Sequence, residues 1–246
     1  MSDGERAMAE PRDLAQGTLR GIWFKLVRAI LLNVLAPFFP LRIEGLEHVP
    51  RTGPMVLVAN HLHNADPIML SIAFPRPVHF MAKKELFSIP VVKWIIRRVG
   101  AFPVDRGRSD RGAIRHAEAA LDQGIAVGMF PEGTRSLGGK LATAHPGAAM
   151  LAQRSGALVV PVAILGFELL PLDGGKQSGS PVRTSSLQWR KPIQIRIGEP
   201  FVVAREADGQ RVSAADATVV MMGHVAKLLP PSYRGAYADA VTAVDQ

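Results

Sequence analysis

Three short apolar runs constrain this chain most: Met55–Ala59, Ile125–Phe130 and Leu158–Ile164. Each is too short for a buried helix and reads as a strand inside a sheet. The first two close directly on a polar cluster, Asn60-His61-Leu62-His63-Asn64-Ala65-Asp66-Pro67 and Pro131-Glu132-Gly133-Thr134-Arg135-Ser136. Between and beyond them the pattern alternates. Leu41–Glu44, Val78–Ala82 and Ile193–Ile197 read as further strands, and Pro50–Pro54 as a turn. Val91–Arg98, Ser109–Asp122, Pro146–Arg154 and Ser213–Leu229 read as helices. Ser109 suits an N-cap, and Gly156 follows the third helix where a stop belongs. Residues Pro171–Ser186, rich in Gly, Ser and Pro, read as a loop. Strands that alternate with helices predict an α/β fold, one domain with a mixed or largely parallel sheet flanked by helices. The 246 residues suffice for one such core.

Composition narrows the function classes. Hydrophobic residues make up 48% and charged residues 20%, which excludes long-range disorder. With no cysteine, a disulfide scaffold, a thiolate metal site and a Cys nucleophile are excluded. The 29 Lys and Arg outnumber the 21 Asp and Glu, for a net charge of +8, and this surplus favours an anionic partner. Aromatic residues are 6% of the chain and no basic run interleaves with them, so nucleic acid is the weakest candidate. A lipid surface or a phosphorylated substrate fits better.

The N-terminal region divides in two. Residues 1–18 are polar and read as a disordered tail. Residues 19–40 read as a hydrophobic helical segment. Its uncharged stretch, Ala29–Leu41, is 13 residues long and holds Asn33 and Pro37. A spanning helix needs about 20 apolar residues. Arg20, Lys25 and Arg28 beside Trp23 and Phe24 instead suit a helix lying in a membrane interface. An ordinary core-packing helix is the alternative.

His61 and Asp66 are five residues apart across a strand-to-helix turn. In open α/β sheets, ligand chemistry collects beyond the carboxyl ends of strands. There the carboxylate can hold one imidazole nitrogen and leave the other to take a proton from a hydroxyl. No G-x-S-x-G elbow occurs, so the nucleophile would be the substrate's own hydroxyl. A helix-capping Asp beside a core His explains the same spacing. Likewise Glu132, Thr134 and Arg135 can face one crevice, where Arg offers a fork for phosphate or carboxylate. A structural Glu132–Arg135 pair is the alternative there. Lys83 and Arg106 each follow an apolar strand-like run and add cations.

Four ordered blocks carry a resemblance: Asn60-His61-x4-Asp66, Gly100-x-x-Pro-Val-Asp-Arg106, Phe130–Ser136 and Val160-Pro-Val-Ala-Ile164. Lys83-x-Glu85-Leu86 and Leu229–Gly235 match more loosely. Over residues 40–236 the chain resembles the glycerolipid acyltransferase family, typified by bacterial 1-acyl-sn-glycerol-3-phosphate acyltransferase. The resemblance implies a glycerol-3-phosphate acyltransferase-like fold over 41–236, with 237–246 as a C-terminal tail. It implies acyl transfer from acyl-CoA or acyl carrier protein to the sn-2 hydroxyl of 1-acylglycerol 3-phosphate, with no metal or other cofactor. His61 would be the base and Asp66 its partner. Glu132, Gly133, Thr134 and Arg135 would bind the acceptor, with Lys83 and Arg106 on its phosphate, and Pro161 would support the donor side. Work on a lysophospholipid implies an anionic membrane surface at the cytoplasmic face, peripheral or monotopic. The chain departs from the pattern at His63, where Ser is common, and its N-terminal hydrophobic segment is shorter than in members that span the membrane.

Rival readings differ at named residues. A metal-dependent hydrolase could use His61-x-His63, but Ala65 stands where its Asp is wanted, and His48, His79, His116, His145 and His224 show no paired ligand spacing. A non-catalytic membrane-binding module would not need His61, Asp66, Glu132 and Arg135 together. The same chemistry on a lyso-aminolipid or glycolipid acceptor is the third rival, against which Arg106 and Arg135 favour a phosphate.

Overall fold

The structure, a computed structural model, describes residues 41–83, 87–88, 102–104, 111–136, 139–167, 193–207 and 209–244, together with Leu26, Ala29 and Asn33. In chain order the main elements are β1 (Leu41–Glu44), β2 (Met55–Ala59), α1 (Asp66–Ala73), β3 (Val78–Lys83), β4 (Phe102–Val104), α2 (Arg111–Asp122) and β5 (Ala126–Met129). Then follow α3 (Gly147–Ser155), β6 (Leu158–Leu165), β7 (Ile193–Ile197), the short strands β8 (Glu206–Ala207) and β9 (Gln210–Arg211), α4 (Ala214–Lys227) and α5 (Ala240–Ala243).

Seven strands form one sheet in the order β1-β7-β6-β2-β5-β3-β4. β6, β2, β5, β3 and β4 run parallel, while β7 pairs antiparallel with β6 and parallel with β1. The sheet is therefore mixed and mostly parallel. β8 and β9 make a separate hairpin.

The runs that carried the strand reading are buried on both faces, as central strands of a parallel sheet must be. β2 is buried at every position. Its alternation sends Met55, Leu57 and Ala59 to the cluster that includes Met69, Leu70, Ile72 and Ala73 of α1. Val56 and Val58 join the opposite cluster, built on α2, α3 and α4 through Ala117, Leu151, Met221 and Val225. The result is three layers, helix on sheet on helix. Each fully buried Leu, Val or Met side chain contributes about 1.5–3 kcal/mol.

Local signals set the helix ends. α3 stops at Gly156, whose φ of 67° is the left-handed C-cap conformation. Ser213 caps α4, accepting a bond from Asp216 N at 3.1 Å and donating to its carboxylate at 2.6 Å. The helix expected over Val91–Arg98, the N-cap at Ser109 and the loop Pro171–Ser186 lie outside the described residues. So does the segment 19–40 apart from Leu26, Ala29 and Asn33, which are helical and exposed. Among the described residues no helix is long and apolar enough to cross a membrane.

The C-terminal boundary differs from the sequence reading. Residues 237–246 were expected to form a tail, but Tyr237 and Val241 are buried in the α4 face. Gly223 of α4 leaves room for α5, since a Cβ there would lie 2.9 Å from Ala240 O. Apolar spacing in so short a helix is too sparse to show this docking.

Ser213→Ala removes the α4 cap at an exposed position. It should lower stability by about 1 kcal/mol, read as a shift in the urea midpoint with an unchanged slope.

Candidate active site

β2 and β5 are parallel neighbours, so their carboxyl ends open on the same side of the sheet. Asn60 ends β2. Its side chain pairs with the backbone of Ile164 on β6, donating to the carbonyl at 2.9 Å and accepting from the N–H at 2.7 Å. This buried pair of hydrogen bonds fixes where β2 stops and where the next residue, His61, starts the turn.

The turn is organised around one oxygen. Asp66 Oδ2 accepts from His61 Nδ1 at 2.8 Å, from Leu62 N at 2.6 Å and from His63 N at 2.8 Å. Asp66 is the first residue of α1, followed by Pro67, and its own N–H bonds back to His63 O at 3.0 Å. Residue 66 is fully buried and His61 is 3% exposed. A carboxylate accepts only, so Nδ1 donates to it, and in the neutral imidazole Nε2 carries the lone pair. Nε2 makes no hydrogen bond among the described residues and is not one of the polar atoms sealed from solvent.

Glu132 joins three segments. Oε1 accepts from His61 N at 3.0 Å, and Oε2 accepts from Ser136 Oγ at 2.6 Å and Ala142 N at 2.8 Å. Ser136 N donates to His61 O at 2.6 Å, closing the link in both directions. Burial pushes the Glu132 carboxyl above its ordinary value, against the pull of these donors. Glu132 is 2% exposed. The resemblance implied an acceptor contact for it, yet its carboxylate is turned inward as a brace. Gly133 and Thr134 are exposed and Arg135 partly so, at the mouth of the turn. Gly133 has φ 68°, and a Cβ there would come within 3.0 Å of the His145 ring. Arg106 lies outside the described residues, and of Lys83 only the backbone, at the end of β3, is described.

The loop that supplies Ala142 is itself held by the C-terminal segment. Leu141 N donates to Tyr233 O at 2.9 Å, Ala236 N to Leu141 O at 3.1 Å, and Ala144 N to the Tyr237 hydroxyl at 2.8 Å. His145 N reaches Pro131 O at 2.8 Å.

Sequence reasoning missed Asn60, Ser136 and Phe130 as members of the site, although all three stand inside the quoted blocks. Phe130 stacks on His61 with ring centroids 4.3 Å apart. His63 braces the turn, its Nδ1 accepting from Ala65 N at 3.1 Å while its ring packs on Phe167 at 5.8 Å. Among the described residues no group of three or more His, Asp or Glu side chains is arranged to hold a metal ion.

Residues 40–165, just over half of the chain, match the acyltransferase family model. The chain belongs to the acyltransferase family. It is 31% identical over 227 residues to a protein named 1-acyl-sn-glycerol-3-phosphate acyltransferase from Chlamydomonas reinhardtii, covering 91% of this chain and 61% of that one. It is 34% identical to a lyso-ornithine lipid O-acyltransferase from Pseudomonas aeruginosa, covering 51% and 47%. The crystal structure of the 1-acyl-sn-glycerophosphate acyltransferase PlsC from Thermotoga maritima aligns with TM-score 0.59 and 28% identity, over 80% of this chain and 75% of that one. The chain spans between about a third and two thirds of the length of the curated relatives it matches. The acyltransferase match includes β2, β5 and β6 with both turns, while β7, α4 and the segment that clamps the 139–145 loop lie beyond it.

Because burial raises the Glu132 carboxyl above its unfolded value, the folded state holds that proton more tightly than the unfolded chain. This stabilising contribution is complete below the ordinary carboxyl value of the unfolded chain and is lost as pH rises through the folded value. Glu132→Gln should therefore flatten that fall in a stability-against-pH profile. It should also lower stability at neutral pH, because the Gln NH2 sets a donor against either His61 N or Ala142 N, by about 1–3 kcal/mol.

Proposed function

We propose that this protein transfers a fatty acyl group from acyl-CoA or acyl carrier protein to the free sn-2 hydroxyl of 1-acylglycerol 3-phosphate, giving phosphatidate. The single observation that carries the reading is the geometry at His61. Asp66 holds Nδ1, and Nε2 makes no hydrogen bond at the carboxyl end of β2, where the neutral imidazole would present its lone pair.

On this reading the acceptor hydroxyl gives its proton to His61 Nε2 as its oxygen attacks the thioester carbonyl. The tetrahedral intermediate collapses, the C–S bond breaks, and the imidazolium returns the proton to the departing thiolate. Asp66 steadies the imidazolium. Glu132 and Ser136 are positioning residues that hold the His61 backbone. General base catalysis supplies about 10²–10⁴-fold, and alignment of the two substrates supplies most of the remainder.

Arg135, with Gly133 and Thr134 shaping the exposed turn, takes the acceptor phosphate together with Arg106 and Lys83. Support for a phosphate comes from the name of the relative from Chlamydomonas reinhardtii and from the net charge of +8. The acyltransferase domain is residues 41–236 with the docked C-terminal segment added. Residues 19–40 serve as an interfacial helix that rests on an anionic leaflet at the cytoplasmic face, where each near-surface Lys or Arg adds about 1 kcal/mol.

A second reading keeps the chemistry and replaces the acceptor. The 34% identity to a lyso-ornithine lipid O-acyltransferase favours a lyso-aminolipid as the rival. The test is an assay of the purified chain in mixed micelles, with labelled acyl-CoA or acyl carrier protein and both lysolipids. Transfer to lysophosphatidate is expected. His61→Ala should lower kcat by about 10²–10⁴-fold without changing the far-ultraviolet circular dichroism. Arg135→Ala should raise KM for lysophosphatidate more than it lowers kcat. Transfer confined to the lyso-aminolipid would replace the acceptor, and near-normal turnover by His61→Ala would remove the base.

A further inference from the structure

One hydrogen bond to Nδ1 fixes a point on the His61 ring but not its plane. The plane is met by a line of aromatic rings. Phe130, just past β5, lies nearly parallel to the imidazole, 4.3 Å away and tilted 23°. Phe80 of β3 backs Phe130 at 5.7 Å and 22°. Phe80 is 1% exposed and sits directly opposite Gly128 in the register of β3 and β5. A Cβ on residue 128 would fall 2.2 Å from Phe80 Cε1, so the ring reaches its place only because that position is glycine.

We propose that Phe130, backed by Phe80 lying over Gly128, is a positioning residue that sets the plane of the His61 imidazole and hence the direction of Nε2. Two physical effects act together. Packing against a ring that cannot retreat removes the swing about the Asp66 bond. The negative face of the Phe130 ring also attracts the imidazolium that forms when Nε2 takes a proton. The inference rests on His61 being the base, but the stacking itself can be read without any activity.

The experiment compares Phe130→Leu, Phe130→Tyr and Phe80→Leu in the full chain, by acyl-transfer kinetics and by proton NMR of the His61 ring. Ser213→Ala, far from the site, controls for lost stability. Both Leu variants should lower kcat by about 3- to 30-fold, the range a ring–cation contact supplies. KM for both substrates should stay within about twofold, the pattern of a loss confined to the transition state. Phe130→Tyr keeps the ring and should stay close to wild type. In the NMR spectrum the His61 carbon-bound protons should lose the ring-current shift in Phe130→Leu and keep it in Phe130→Tyr.

Ser213→Ala reducing kcat as far as Phe130→Leu would overturn the proposal, because stability alone would then explain the loss. A raised KM at unchanged kcat would overturn it too, by placing Phe130 against substrate. If the wild-type chain transfers no acyl group, the functional reading fails separately and the NMR arm still decides. His61 ring protons unmoved by Phe130→Leu would then refute the stack.

Discussion

A single carboxylate oxygen organises this site. Asp66 Oδ2 gathers three N–H donors, one from the His61 ring and two from the backbone of the turn. Three donors converge on one buried oxygen, and that shared acceptor fixes the position of every donor around it. The same residue begins α1, so the helix, the turn and the imidazole are placed by one side chain. Losing Asp66 would leave two buried backbone N–H groups without their acceptor as well as freeing the ring, so the fold of this turn and its chemistry are inseparable.

The parallel sheet makes a second joint necessary. His61 follows β2 and Glu132 follows β5, and adjacent strand ends alone do not lock two turns together. Glu132 does so by accepting from His61 N, Ser136 Oγ and Ala142 N. Ala142 sits in a loop that the C-terminal segment grips through Tyr233 and Tyr237. The segment from Tyr233 to Tyr237 thus reaches the first turn of the site through two intermediaries. That path crosses from the part of the chain matching the acyltransferase family to a part beyond it.

Much of this was legible in the sequence because the strongest signals are local. Met55–Ala59 and Ile193–Ile197 have the bounds that their apolar patterns implied, and Gly156 ends α3 as expected. His61 and Asp66 meet as their spacing suggested. The rest depended on partners far along the chain. Nothing near Glu132 says that its carboxylate turns inward, since that follows from β5 lying beside β2 and from a loop ten residues on. The reversed direction of β1 and β7 is equally silent in a single strand. Tyr237 read as part of a tail because its partner, Ala144 N, lies 93 residues earlier. The small β8–β9 hairpin did carry a local signal, the Asp208-Gly209 pair, which suits a tight two-residue turn.

The most direct measurement of the central claim is the tautomer of His61, read from its two ring nitrogen-15 shifts in the neutral imidazole. Asp66 binding should give Nδ1 protonated and Nε2 bare, the only neutral form that can accept a hydroxyl proton at the open end of β2. Finding the hydrogen on Nε2 would contradict it, because neither the Asp66 bond nor the base role of His61 could then stand as described.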